Sequence, residues 1–94
     1  MANRQTSFSH QIELLESLKS YLHGFQERLA IVAEKYEKQV NDLYDAGGMM
    51  DETFNDFHDN YVEITKGKIQ DLINQINDLD IPFVEKEIDY LESH

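Results

Sequence analysis

Four histidines, at positions 10, 23, 58 and 94, are the side chains with the most chemistry to offer. None has a second histidine three or four residues away. No Glu-x-x-His pair occurs either: Asn55 stands three before His58 and Ser20 three before His23. A carboxylate-bridged di-metal bundle needs inward glutamates together with Glu-x-x-His, so no metal site is expected. His58 stands in Phe54-Asn55-Asp56-Phe57-His58-Asp59-Asn60, between two acids, which leaves room for adventitious metal. The ordinary expectation is a solvated imidazole whose pKa is raised by those acids.

The stretch Asp45-Ala46-Gly47-Gly48-Met49-Met50-Asp51-Glu52-Thr53-Phe54 fails three further tests. A calcium loop ending at Glu52 would put Asn41 first, Leu43 third and Ala46 at the glycine position, which does not fit. The glycines follow no strand and precede no Gly-Lys-Ser/Thr, so they cradle no phosphate. There is no cysteine nucleophile. The many carboxylates fall on polar helical faces, whereas paired catalytic acids need a cleft. No enzyme activity and no cofactor is expected.

The elements around these residues read as helix. Apolar residues from Phe8 fall at Ile12, Leu15, Leu18, Leu22, Phe25, Leu29, Val32, Tyr36, Val40 and Leu43, in steps of three and four. That is helical periodicity sustained for about ten turns. Ser7 is a plausible N-cap, and Gly24 is the weak interior point. Gly47 and Gly48 stop the helix, and Asp51 and Glu52 suit the start of a second. The second stripe runs Phe54, Phe57, Tyr61, Ile64, then resumes out of phase as Ile69, Leu72, Ile76, Leu79, Phe83. The shift falls at Lys66-Gly67-Lys68 and suggests a local bend or a slipped seam. Pro82 is read as a helix break. Asp78 or Asp80 would cap a short final helix with Val84, Ile88 and Leu91 on its apolar face; a kink in one long helix is the competing reading.

The expected fold is therefore all-α: one domain over 1–94, an antiparallel two-helix hairpin with a proline-marked final segment. Helix 1 spans about 7–46, the turn 47–50, helix 2 about 51–79 and the final helix about 81–93. Leu14, Tyr21 and Ile31 widen the helix 1 seam beyond what one hairpin partner covers. A homodimer closing a four-helix bundle is the expected answer. Tyr36, Tyr44, Phe54, Phe57 and Tyr61 gather toward the closed end. Their ordinary role is packing; the alternative is an aromatic patch for a partner helix, joined by the adaptable Met49 and Met50.

The net charge is −11, with five Lys/Arg against seven Asp/Glu in residues 1–48 and three against twelve in 49–94. That balance disfavours nucleic acid and anionic membrane surfaces, which need a basic patch. No apolar run suits membrane insertion, and no signal-peptide core is visible. The expected location is the cytoplasm, with export without a cleaved leader left open. With no cysteine, disulfides and thiolate metal sites are excluded.

The layout resembles the WXG family of small helical-hairpin, secretion-associated proteins. Met49-Met50-Asp51 stands where Trp-x-Gly falls in that family, and Phe57 and Tyr61 follow on the second helix, where the family repeats an aromatic one or two turns later. Asp51 and Ile81-Pro82-Phe83 match a Gram-negative variant whose turn reads Trp-x-Asp and whose second helix carries Ile-Pro-Phe. There is no tryptophan, and the export signal Tyr-x-x-x-Asp/Glu would need an acid at 94, where Tyr90 is followed by His94. The resemblance implies a dimeric, non-enzymatic partner or adaptor that binds a helical segment of a larger secreted effector or toxin. On this reading Met49, Met50, Phe54, Phe57 and Tyr61 make the contacts, Gly47, Gly48 and Asp51 form the turn, and Pro82 marks the break. The alternatives are an acidic inhibitor or DNA mimic, resting on Asp56, Asp59, Glu63 and Asp71, or a structural component of a phage or mobile element.

Overall fold

A computed structural model describes residues 7–93; His94, and with it the expected export-signal position, lies outside the described residues. The chain is all-helical, and no strand occurs among the described residues. Helix α1 covers Phe8–Asp45, α2 Asp51–Phe57, α3 Glu63–Gln75 and α4 Ile81–Glu92. Between them lie two π-helical segments, His58–Val62 and Ile76–Asp80.

Both ends of α1 follow from local chemistry. The Ser7 hydroxyl accepts from the His10 backbone N–H at 3.2 Å, the cap expected at that position. At the other end Gly47 takes φ 77°. Its N–H donates to the Tyr44 carbonyl at 2.9 Å, and the Gly48 N–H donates to the Leu43 carbonyl at 2.9 Å. This paired arrangement is a Schellman stop. A side chain at Gly47 would strain the left-handed backbone, and a Cβ at Gly48 would stand 3.1 Å from the Leu43 carbonyl oxygen. Gly47→Ala is therefore expected to destabilise the fold by about 1 kcal/mol. Met50, the N-cap of α2, has extended backbone and no side-chain cap bond. Met50→Ser should thus add stability, by up to about 1 kcal/mol. Urea denaturation of both variants checks these opposite signs.

The described residues divide into two compact units, residues 27–74 and residues 7–26 with 75–93. The 27–74 unit is a helical hairpin: the second half of α1, the turn, and α2 with α3 returning alongside. Val40 and Val62 are its buried side chains, with Leu29, Ala33, Tyr36, Ile69 and Ile73 half-buried beside them. In the other unit the start of α1 packs with the end of the chain. Ile76, Ile81, Val84 and Ile88 are buried there, with Ile12, Leu15 and Leu22 half-buried. Val84, Ile88 and the half-buried Leu91 make the inward face of α4, as their spacing predicts.

Elsewhere the structure corrects the seam. On α1 the inward positions include Lys19, Ala33 and Tyr44, while the neighbouring Leu18, Val32 and Leu43 are exposed. Lys19 tolerates its place because its stem can lie along apolar surface while the ammonium reaches Glu85 at 3.0 Å. On the returning arm Tyr61, Ile64, Leu72, Leu79 and Phe83 are exposed, and Val62, Ile69, Ile73 and Ile76 take the inward positions. The phase shift is real, but its site is not Lys66-Gly67-Lys68, which lies in regular α3. It is absorbed at His58–Val62, where the Glu63 N–H donates to the His58 carbonyl. A bond spanning five residues lets one extra residue into the turn and rotates everything after it.

Pro82 does not break the helix. Asp80 has helical φ/ψ and makes no side-chain cap bond. Instead the Ile81 N–H donates to the Ile76 carbonyl in a second π turn immediately before the proline. The lengthened turn leaves room at the point where proline has no N–H to give.

Candidate functional site

Around the turn, Tyr44 and Phe54 stack with ring centroids 4.3 Å apart, and Phe54 meets the His58 ring at 5.6 Å. The Tyr44 hydroxyl donates to the Asp51 carboxylate, tying the end of α1 to the start of α2. That bond is the main reason the Tyr44 phenol loses its proton less readily than usual. Phe57 stacks on Tyr61 at 5.2 Å. Of the five proposed contact residues, Met49, Phe54 and Phe57 are half-buried within the hairpin. Met50, 76 % exposed, and Tyr61, 58 % exposed, face outward. Phe54 therefore serves the fold directly, and Met50 and Tyr61 are the two of the five that stand mostly in solvent.

One turn further along lies a cluster of charged side chains. His58 is half-buried, not solvated, and its principal acidic neighbour is Glu37 on α1. His58 Nε2 stands 3.2 Å from Glu37 Oε2 and 3.5 Å from Glu63 Oε1, and Nδ1 stands 3.4 Å from Asp59 Oδ1. Asp56, the other acid flanking His58 in sequence, instead accepts from Asn60 Nδ2 at 2.7 Å. Lys66 Nζ donates to Glu37 Oε1 at 2.9 Å and lies 3.9 Å from Glu63 Oε1. Ligand atoms of Glu37, His58 and Glu63 all fall within 4.8 Å of one another.

The bonds to Glu37 and then Asp59 raise the His58 pKa, while Lys66 and then His58 hold the Glu37 carboxyl below its usual range. Folding thus favours the charged form of each. The His58 contribution is complete below the unfolded value of about 6.5 and is lost as pH rises through the higher folded value. The Glu37 contribution is present above its unfolded value of about 4.3 and is lost as pH falls through the lower folded one. Chelator-treated protein should therefore lose thermal stability as pH rises from about 6.5 through the raised folded value of His58. His58→Gln should flatten that slope in pH-resolved melting; an unchanged slope would assign it elsewhere.

Sequence spacing missed this cluster because His58 and Glu63 are five residues apart. On a regular α-helix such residues diverge by roughly 140°; the π turn aligns them. The class defined by fold and site is an all-α chain whose charged cluster is built on a π turn of a helical hairpin. No family model, curated protein or solved structure matches the chain. No helix among the described residues is long and apolar enough to cross a membrane.

Proposed function

We propose that the protein is a non-enzymatic interaction module that self-associates into a homodimeric four-helix bundle and serves as an adaptor for a helical segment of a larger effector. The observation that carries this reading is its imbalance of apolar surface. Six apolar side chains are buried among the described residues, while fourteen large ones stay exposed. Leu14, Tyr21 and Ile31, which widen the α1 seam, are among the exposed ones.

A second copy is the economical occupant of the apolar surface around Leu18, Leu79 and Phe83. These line an open groove of about 470 Å³ with Leu22, Asp80 and Val84. The outward Met50 and Tyr61 are then left for the effector helix, in the manner of helix-in-groove recognition. The WXG resemblance supports the adaptor role, through Asp51 and Ile81-Pro82-Phe83.

Sedimentation at micromolar concentration should give twice the 11.0 kDa chain mass. A monomer at high micromolar concentration would overturn the dimer. Co-purification with the product of the adjacent gene tests the adaptor role. Met50→Ser with Tyr61→Ser should abolish that association and leave the helical circular dichroism signal intact.

A further inference from the structure

We infer that Glu37, His58 and Glu63 form a binding site for a transition-type divalent cation of the zinc class. Three features of the hairpin converge on it. First, the spacing fits. Bonds of ~2.1 Å from zinc to imidazole nitrogen or carboxylate oxygen place tetrahedral ligands ~3.4 Å apart. His58 Nε2 lies 3.2 Å from Glu37 Oε2 and 3.5 Å from Glu63 Oε1, so its two edges already match, and all three atoms lie within 4.8 Å of one another.

Second, the imidazole is oriented from behind. Nδ1 faces Asp59 Oδ1 at 3.4 Å. With Asp59 accepting from Nδ1–H, an arriving cation displaces only the Nε2 proton that faces the two glutamates, and the imidazole keeps the Nδ1–H to carboxylate bond usual behind a metal-bound histidine. Third, the alignment depends on the π turn. The Glu63 N–H donates to the His58 carbonyl, and without this five-residue bond the two side chains would leave on different faces. Such single π turns recur at functional sites. The imidazole selects for zinc-like ions over magnesium or calcium, which prefer all-oxygen shells. Three protein ligands leave a fourth position to water or to a partner's side chain.

Lys66 is the built-in competitor. Its ammonium lies on Glu37 Oε1 and near Glu63, where it opposes an arriving cation. Glu37 Oε2 faces His58 Nε2 rather than Lys66, so an ion that displaces the Nε2 proton can meet this oxygen while the ammonium stays on Oε1.

The test uses untagged, chelator-stripped full chain titrated with zinc chloride by calorimetry, with cobalt(II) absorption reporting the ligand set. One ion per chain should bind in the micromolar range and raise the melting temperature. His58→Ala should abolish binding, and Glu63→Gln, at an exposed position, should weaken it without loss of helix. Asp59→Asn should weaken it roughly 10-fold. Lys66→Met should strengthen it, and His23→Ala should change nothing. Absence of saturable binding, or binding that survives both His58→Ala and Glu63→Gln, would overturn the site. The dimer and adaptor reading does not depend on the outcome.

Discussion

Ile76→Ala is expected to cost about 3 kcal/mol, whereas Leu79→Ala, three residues on, should stay within about 0.5 kcal/mol. Ile76 is 2 % exposed and Leu79 63 % exposed. Removing the Ile76 branch leaves a hole in a unit whose buried apolar set, among the described residues, holds only Ile76, Ile81, Val84 and Ile88. A chain of this length has roughly 5–14 kcal/mol of total stability, so the loss is a large fraction of it. It corresponds to a fall of about 15 °C in melting temperature. Urea denaturation in dilute solution, where the proposed dimer would be dissociated, separates the two effects. Equal costs at both positions would mean that the inward register assigned to this arm is wrong.

The pair is chosen because sequence periodicity cannot tell its members apart. Ile69, Leu72, Ile76, Leu79 and Phe83 make an unbroken three-and-four pattern. Only Ile76 of the five is buried, with Ile69 half-buried. The spacing shows that a segment is helical and has apolar faces, but two apolar faces on one helix obey the same arithmetic. Which one meets the neighbouring arm depends on how many residues the intervening turns contain. The π turns at His58–Val62 and Ile76–Asp80 change that number by backbone hydrogen bonding alone. No residue type announces them, though Pro82 hints at the second.

Where local chemistry dominates, the reading was direct. The Ser7 cap, the Gly47-Gly48 stop and the acids opening α2 all depend on backbone groups within a few residues. The charged cluster is the opposite case. Glu37 and Lys66 lie 29 residues apart and His58 and Glu63 five, a combination that no α-helical template searches for.

The second large effect concerns self-association. If the proposed dimer forms, Leu18→Asp combined with Phe83→Asp should convert it into a monomer with its helicity retained. Phe83 is 61 % exposed and Leu18 is exposed beside it in the same groove, so neither charge enters the core of the single chain. At an interface centre each would face a desolvated carboxylate penalty. A hot-spot loss of ~2 kcal/mol per position weakens the dissociation constant about 30-fold each, enough to leave only monomer at micromolar concentration. Salt gives an independent sign. Two chains of charge −11 repel one another, so screening should tighten a dimer held by apolar contact. A complex formed through the acidic arm, as an inhibitor or DNA mimic would form, should loosen steeply under the same change. Sedimentation of wild type and double variant across a salt series therefore distinguishes the two readings. A double variant that still dimerises would place the interface on another face, and one that unfolds would mean that Leu18 or Phe83 serves the single chain's own packing.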